Sequence, residues 1–293
     1  MVTGNKKSVA NSIIEASFDF VDDSYTESLN NHAYHLSIEL DKAAISFAVL
    51  HLAEKKYVRW GKQKLKTNNS GDELEAFKSI VEKFSLLQQE FKSSSIACAV
   101  MDTILIPEVY YQKDKEQDLL QYNFGTDRGV VMRDKLFNVA AYQVYDLPKK
   151  WVKFIDETWP KISILHQSTI LIEQVVVHSK TIDEITVFAH LQNNKMNLII
   201  ADNGKLLFSN RFQCLTKEDV AYFVLATMEQ LEIRNYEIRL TMSGETDHSV
   251  LDLLSKYVKT VDTVKKNEGI EYSSEFGQPI YRGYSVFSQY LCG

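Results

Sequence analysis

Apolar and polar residues alternate in three short runs between residues 185 and 212, and a turn signal separates each run from the next. The runs are Ile185–His190, Met196–Ala201 and Leu206–Phe212. Asn203-Gly204 stands between the last two, and both residue types tolerate the positive φ that a tight hairpin turn requires. An apolar helical face from Val220 to Leu231 follows, and then a buried strand, Glu237–Thr241. The pattern therefore predicts the order β-β-β-α-β.

A weaker copy of this order lies nearer the start of the chain. Its three predicted strands are His35–Leu40, Ala44–Leu50 and Tyr57–Leu65. An apolar helical stripe runs from Leu74 to Leu87. A long apolar strand, Ser95–Pro107, closes the unit, with Asp102 as its one charge. Two units of the same order and similar length indicate an internal duplication.

Several further elements are predicted around the two copies. A hydroxyl residue followed three positions later by an acid predicts a capping box before each repeat helix, at Ser70 with Glu73 and at Thr216 with Asp219. Strands are expected at Gly129–Arg133 and Val139–Tyr145, separated by a loop at Asp134–Asn138. Helices are expected after Pro148 and from Asp247 or Ser249 to Val258. Ser168–His178 suits a buried strand or a helix, and a helix is favoured because Ser168 could cap it.

Composition narrows the class of protein. The chain has 293 residues, of which 45% are hydrophobic and 25% charged, and this is typical of a globular protein of two ordinary domains. A formal net charge of −6 argues against nonspecific nucleic-acid binding, which needs a basic face. The three cysteines are far apart and predict neither a disulfide framework nor a metal site. No apolar run approaches the ~20 residues that span a bilayer, and no signal peptide is recognisable, so a cytoplasmic protein is expected.

Two segments and the duplication together carry a resemblance to known proteins. The segments are Tyr142–Pro148 and the aromatic tail Phe287–Cys292. The chain resembles a bacterial family of unknown function assigned an actin-like ATPase fold, and more distantly the actin-like proteins of pilus assembly and secretion. This resemblance implies an α/β protein of two ribonuclease-H-like lobes, each opening with the β-β-β-α-β unit. The first lobe is expected to span residues 1–180 and the second 181–293, with a C-terminal segment that folds back.

The duplicated unit resembles the domains of the actin, hexokinase and Hsp70 superfamily. In that superfamily ATP binds between the lobes, where glycine-bearing turns let backbone N–H groups approach phosphate oxygens. The first turn has the pattern acid, apolar residue, glycine, threonine. Here Glu39 keeps the acid, but Asp41 stands in place of the glycine and Lys42 follows it. Asp41 adds negative charge and bulk where a phosphate would sit.

The other two elements are also altered. At the second turn His190 and Gln192 replace the aspartate and glycines, and the third element retains Ser243 and Gly244, one glycine of the adenosine-site pair. These positions, with Glu39, Asp41 and Lys42, form the candidate ligand-binding cleft. Because the phosphate cradle is degraded, we expect no catalytic residues, no cofactor and no ATP hydrolysis. The alternative is a nucleotide-binding ATPase or kinase that uses ATP with Mg²⁺ in an altered cleft.

Other constellations give weaker hypotheses. His32, His35 and His51 lack nearby carboxylates or cysteines, so surface or strand positions are favoured over a metal site. Ser243 with Asp247 and His248 lacks the sequence of a nucleophile elbow. The tail aromatics are expected to pack rather than stack on bases. The favoured function is therefore a non-catalytic binding or scaffold protein with a protein partner. Its many aromatic residues also suggest a homodimer.

Overall fold

The computed structural model describes residues 17–25, 31–66, 73–99, 102–125, 129–234 and 238–292. Its strands and α-helices, in chain order, are β1 (Phe18–Val21), β2 (Tyr34–Leu40), β3 (Ala44–His51), β4 (Lys56–Lys64), α1 (Glu73–Lys83), β5 (Ser93–Cys98), β6 (Thr103–Pro107), α2 (Glu116–Phe124), β7 (Val130–Leu136), β8 (Ala141–Leu147), α3 (Lys149–Thr158), β9 (Ser163–His166), α4 (Gln167–Ser179), β10 (Ile185–Gln192), β11 (Lys195–Asp202), β12 (Lys205–Gln213), α5 (Lys217–Gln230), β13 (Ile238–Gly244), α6 (His248–Leu254), β14 (Thr260–Thr263), β15 (Glu271–Tyr272) and α7 (Tyr284–Ser288).

The strand order confirms the duplication. One sheet has the order β1-β4-β3-β2-β5-β9, with β15 also paired to β4, and a second has the order β12-β11-β10-β13-β14. In both, the first three repeat strands pair antiparallel, and the strand after the helix joins the first strand in parallel. A further parallel strand, β9 or β14, completes each copy. The predicted mixed α/β fold is therefore confirmed.

Local sequence signals explain the hairpins and helix starts of the second repeat. Asn203 and Gly204 both have positive φ, as the predicted turn requires. Thr216 accepts the N–H of Asp219, whose carboxylate accepts the N–H of Thr216 in return, so the predicted capping box is present. The first-repeat box cannot be compared, since Ser70 lies outside the described residues.

The prediction of one long strand over Ser95–Pro107 was wrong. β5 ends at Cys98 and lies in the sheet with β2, whereas β6 begins at Thr103 and pairs antiparallel with β8 in a separate sheet of order β6-β8-β7. Apolarity alone could not show the break, because both strands carry residues that are buried in different cores.

Three element ends also differ from prediction. The helix expected through Leu87 stops at Lys83, since the backbone of Phe84 is extended, and a 3-10 turn follows over Ser85–Gln88. The loop between these strands is shorter than the predicted Asp134–Asn138, because β7 continues through the buried Asp134 to Leu136. The helix after Asp247 ends at Leu254, short of Val258.

The packing of the chain defines a larger unit, Ser17–Gln174 with Lys266–Gln278 and Ser285–Gly293. Its main core lies between one face of the β2–β5 sheet and the helices α1 and α3. The C-terminal residues pack in the same unit. The Tyr57 hydroxyl donates to the Phe287 carbonyl at 2.5 Å, and Gln289 Nε2 donates to the Ile38 carbonyl at 2.9 Å.

The smaller unit comprises Val175–Lys265 with Pro279–Tyr284. The β10–β13 sheet packs one face against α5 and α6, with Val187, Leu198 and Leu240 fully buried. The division between the units falls inside α4. The lobe bounds predicted from the sequence, 1–180 and 181–293, stay a prediction.

Candidate functional site

The candidate residues of the first repeat lie at the end of β2 and in the turn that follows. Asp41 is buried, and its Oδ1 accepts the N–H of Lys42 at 2.5 Å. The N–H of Asp41 itself donates to the Ala44 carbonyl at 3.0 Å. The turn therefore closes on its own carboxylate, while the Lys42 side chain is exposed.

The Glu39 side chain contacts the first residue of α4. Gln167 is fully buried, and its Nε2 donates to Glu39 Oε2 at 3.2 Å. The two residues are brought together because β9, which leads directly into α4, lies beside β5, the neighbour of β2. A buried glutamate held by an amide donor is a polar contact between strand and helix.

A second buried carboxylate lies near the same strand–helix junction, and the sequence interpretation missed it. Asp134 Oδ2 accepts the N–H of His166 at 2.7 Å and the Thr169 hydroxyl at 2.6 Å, and its Oδ1 accepts the Tyr145 hydroxyl at 3.0 Å. Burial raises the pKa of Asp134 to about 6, against the opposing effect of these three hydrogen bonds. The carboxylate thus joins β7, β8 and the start of α4.

The other groups at this junction are poor nucleophiles. Burial, with the nearby Asp134 carboxylate, raises the pKa of the Cys98 thiol to about 12, so no thiolate forms near neutral pH. His166 Nδ1 accepts the N–H of Ser168 at 3.1 Å, so the neutral ring carries its proton on Nε2. The cluster is a satisfied polar core rather than a reactive centre.

In the smaller unit the structure brings three candidate residues together. His190 and Ser243 are register partners on the parallel strands β10 and β13. The His190 ring joins Ser243 Oγ through Nδ1 at 2.8 Å and Gln192 Oε1 through Nε2 at 3.4 Å. Because Gln192 offers only an acceptor there, Nε2 donates and Nδ1 accepts the serine hydroxyl. His190 and Ser243 are both buried, so this pair has no access to a substrate.

Gly244 fills a position that no other residue could occupy. Its φ is +78°, and a Cβ there would stand 2.1 Å from the Leu191 carbonyl oxygen. This close approach allows the N–H of Glu245 to donate to the same carbonyl at 2.7 Å. The Glu245 side chain then turns back, and its Oε2 accepts the N–H of Asn193 at 2.9 Å. The turn after β10 is therefore closed by a carboxylate, like the turn after β2.

The weaker constellations prove to be structural. Asp247 caps α6 by accepting the Val250 N–H at 3.0 Å, so its carboxylate serves the helix and not a triad. His35 is held between two serine hydroxyls, and burial lowers its pKa to about 4. Within the described ranges, no group of three or more His, Cys, Asp or Glu side chains could hold a metal ion. The expectation that the tail aromatics pack is confirmed for Tyr284 and Phe287, which are buried.

A family model for proteins of unknown function, DUF3822, matches residues 23–261. The chain belongs to the DUF3822 family. None of the curated proteins matches it. A protein of unknown function with an actin-like ATPase fold from Bacteroides thetaiotaomicron matches with a TM-score of 0.74 and 21% identity, over 82% of this chain and 94% of that one. The PilM–PilN complex of type IV pilus biogenesis matches with a TM-score of 0.56 and 12% identity, over 87% and 97%.

These likenesses show that this DUF3822 protein has the actin-like ATPase fold, as the resemblance implied. The part of the chain that the structure describes contains no helix with the length and apolar character needed to cross a membrane. Three buried polar residues that the sequence interpretation overlooked are Asp134, His166 and Gln167. For His166 and Gln167 the available signal was the polar run from His166 to Thr169, placed between a strand and an apolar helix.

Proposed function

We propose that this DUF3822 protein is a non-catalytic binding or scaffold protein on an actin-like fold. The observation that carries the proposal is that a carboxylate closes the turn after the first strand of each repeat. Asp41 accepts the Lys42 N–H in one, and Glu245 accepts the Asn193 N–H in the other. A phosphate oxygen would need backbone donors of this kind.

Each carboxylate also repels the ligand that the fold holds in ATPases. A phosphate oxygen about 4 Å from a carboxylate costs about 4 kcal/mol per pair of unit charges at an effective dielectric constant of 20. A phosphate bound at either turn would face that cost. Among the candidate residues, the Lys42 side chain in the larger unit is exposed and the Gln192 side chain in the smaller unit is partly exposed, and we place ligand contacts at each of these turns.

The ligand we propose is a protein partner, in the cytoplasm. PilM, whose fold this chain shares, occurs in complex with PilN. No cofactor is required by this function. The homodimer suggested by the aromatic composition is compatible with it.

The test compares Mg-ATP binding to the wild-type chain and to the double variant Asp41→Asn/Glu245→Gln, by calorimetry and by thermal shift. Both substitutions keep an acceptor oxygen and remove the charge. The control, Glu54→Gln, removes one charge from an exposed turn. We expect no wild-type or control binding at a few millimolar Mg-ATP and no hydrolysis above background, with weak binding gained only by the double variant.

A clear wild-type shift with Mg-ATP that disappears in Glu39→Ala would overturn the proposal in favour of the alternative, a nucleotide-binding ATPase or kinase. That alternative is favoured by one feature, since Gly244 keeps one glycine of the pair that the resemblance implies at the adenosine site.

A further inference from the structure

The most exposed large apolar side chains belong to one small part of the fold. Among the described residues, those that are at least three-quarters exposed are Val109, Tyr110, Tyr122 and Phe137, with exposed fractions of 84%, 75%, 89% and 79%. All four lie in the segment that runs from β6 to β8. Scattered apolar residues are common on protein surfaces, whereas a group of them marks a contact surface.

Three of these side chains adjoin one another at one end of the β6-β8-β7 sheet, and we call Val109, Tyr110 and Phe137 the apolar tip. Val109 and Tyr110 lie in the 3-10 turn that follows β6, and Phe137 begins the turn between β7 and β8. The N–H of Glu108 donates to the Ala140 carbonyl at 2.8 Å, so the two turns lie side by side. Because its side chains are so exposed, the tip projects from the surface.

The turn that presents Phe137 is held by a buried carboxylate. Glu173 of α4 accepts the N–H of Phe137, the N–H of Asn138 at 3.2 Å and the side-chain amide of Asn138 at 2.5 Å. Glu173 itself is only 7% exposed. The backbone of the turn is thus fixed, while the ring that it carries lies in solvent. A side chain presented in this way loses little conformational entropy when it binds, as expected of an interface anchor.

The smaller unit contains a groove of about 840 Å³ between the C-terminal ends of α5 and α6. Leu225, Ile233 and Val258 give it an apolar lining, and Tyr257, which is 52% exposed, also lines it. This volume lies within the range of sites that bind drug-sized ligands. The groove therefore has room for two aromatic rings.

Backbone hydrogen bonds close both helix ends that form the groove. Glu232 has a φ of +58°, which lets the N–H of Ile233 turn back to the Met228 carbonyl at 2.9 Å. After α6, the N–H of Val258 donates to the Leu254 carbonyl, also at 2.9 Å. The two sides of the groove are thus fixed by the ends of their own helices.

The two sides of the groove carry opposite charges. Glu229 and Glu232 come from α5 and the residues that follow it, whereas Lys256 and Lys259 come from the chain after α6. All four are exposed. Arg234 also lines the groove and has an interaction of its own. An occupant of this groove would therefore carry an apolar centre with a basic group on one side and an acidic group on the other.

We propose that the apolar tip of one copy of this chain docks in the groove of a second copy. The tip has the required charges, because Lys135 Nζ lies 3.0 Å from Glu108 Oε1 beside it and both side chains are partly exposed. In the docked arrangement Lys135 faces the acidic side of the groove and Glu108 faces the basic side. Such complementary charges fix the orientation of the contact.

A second copy fits the tip better than a membrane surface does. The ion pair leaves the tip without net charge, and the whole chain carries a formal net charge of −6, whereas anionic lipid surfaces attract basic segments. A projecting apolar surface needs a concave apolar receptor, and the groove of this chain supplies one with matching charges. The contact goes beyond the proposed function, which concerns the turns after β2 and β10.

The contact area sets the expected affinity. The tip exposes roughly 400 Å², since each aromatic side chain supplies about 150 Å² and the valine about 100 Å². An equal area of the groove, with the charged side chains around it, brings the total to roughly 1,000 Å². Contacts of this size are weak and transient, so we expect a dissociation constant on the order of 100 µM.

Two double variants remove the two sides of the contact separately. The tip variant, Tyr110→Ser/Phe137→Ser, removes both aromatic rings and keeps the backbone N–H that Glu173 accepts. The groove variant, Lys256→Glu/Lys259→Glu, makes both sides of the groove acidic, so that no basic side remains to face the acid of the tip. Each changes exposed residues only.

Sedimentation velocity from about 10 µM to about 1 mM is expected to show self-association of the wild-type chain. The control Tyr122→Ser, at an aromatic residue outside the tip and the groove, should associate like the wild type. Each double variant alone should associate at least tenfold more weakly. An equimolar mixture of the two should form a 1:1 complex with wild-type affinity, because the tip variant keeps its groove and the groove variant keeps its tip.

A wild-type chain that stays monomeric at about 1 mM, self-association that neither double variant weakens, an equal loss in Tyr122→Ser, or a mixture without recovery would each overturn the proposal. Recovery in the mixture excludes misfolding of the variants, since a misfolded chain could not supply its intact side of the contact. None of these results bears on the proposed function, which Mg-ATP binding tests at different residues.

Discussion

Ionisation of Asp134 should make the larger unit less stable as the pH rises through mildly acidic values. Its carboxylate is buried, and its pKa of about 6 stands above the ordinary value of 3.8. Between these values the native state holds a proton that the unfolded chain has lost. Unfolding free energy then falls with rising pH, at about 1.4 kcal/mol per pH unit for one proton. Over the whole interval this amounts to about 3 kcal/mol.

The perturbation is Asp134→Asn, which cannot ionise. The amide oxygen can still accept from the His166 N–H and the Thr169 hydroxyl, and the amide N–H₂ can donate to the Tyr145 oxygen. The unfolding free energy of the variant should therefore not fall in this way as the pH rises. The difference in unfolding free energy, variant minus wild type, should rise by about 3 kcal/mol between pH 3.5 and pH 7.

The assay is urea unfolding followed by tryptophan fluorescence at several pH values. Trp60, Trp151 and Trp159 are the three tryptophans of the chain, and all lie in the larger unit, so the signal reports on that unit. A difference between variant and wild type that stays constant across this pH range would refute the reasoning.

Asp22→Asn is a control in the same unit, and its effect on stability should depend on pH in the opposite direction. Burial alone would raise the pKa of Asp22, but the hydrogen bonds from Lys56 and Ser24 outweigh it and hold that pKa well below its usual range. Lys56 Nζ is 2.8 Å from Asp22 Oδ2. This group stabilises the native state above pH 4, and that contribution is lost as the pH falls toward its native pKa. Asp22→Asn should therefore destabilise at pH 7 and progressively less in acid.

Three further substitutions test local packing by thermal and urea unfolding. Gly244→Ala should lower the unfolding free energy by at least about 2 kcal/mol, because its φ is positive and a Cβ would clash with the Leu191 carbonyl. Gly269→Ala, with positive φ but open space around it, should lower it by about 1 kcal/mol. Equal losses would contradict the clash. Thr216→Ala should lose about 1 kcal/mol by removing the capping box, and Thr216→Ser should retain most of it. Phe287→Ala removes a fully buried aromatic ring and should lower the unfolding free energy by about 3–5 kcal/mol. Leu291→Ala, at a residue 41% exposed, should lower it by less than about 1 kcal/mol. Similar losses would show that Phe287 does not anchor the tail.

The sequence by itself determined the features that depend on neighbours along the chain. The hairpin at Asn203-Gly204, the capping box at Thr216 and the apolar faces of the repeat helices all follow from spacings of a few residues. The duplication also came from the sequence, because each copy repeats the same local signals in the same order. Together with the resemblance to a family of known fold, these features predicted the actin-like fold.

Only the tertiary structure decided which buried polar groups meet. Gln167 reaches Glu39 across 128 positions of sequence, and Asp134 reaches Thr169 across 35. The sequence predicted that Asp41 would spoil the first turn as a phosphate cradle. It gave no sign that Glu245 closes the other turn by accepting the Asn193 N–H. The break between Cys98 and Thr103 was likewise invisible, since the two strands enter different sheets. Alternation shows that a residue is buried, whereas its partner is set by strand order, and strand order depends on contacts between distant parts of the chain.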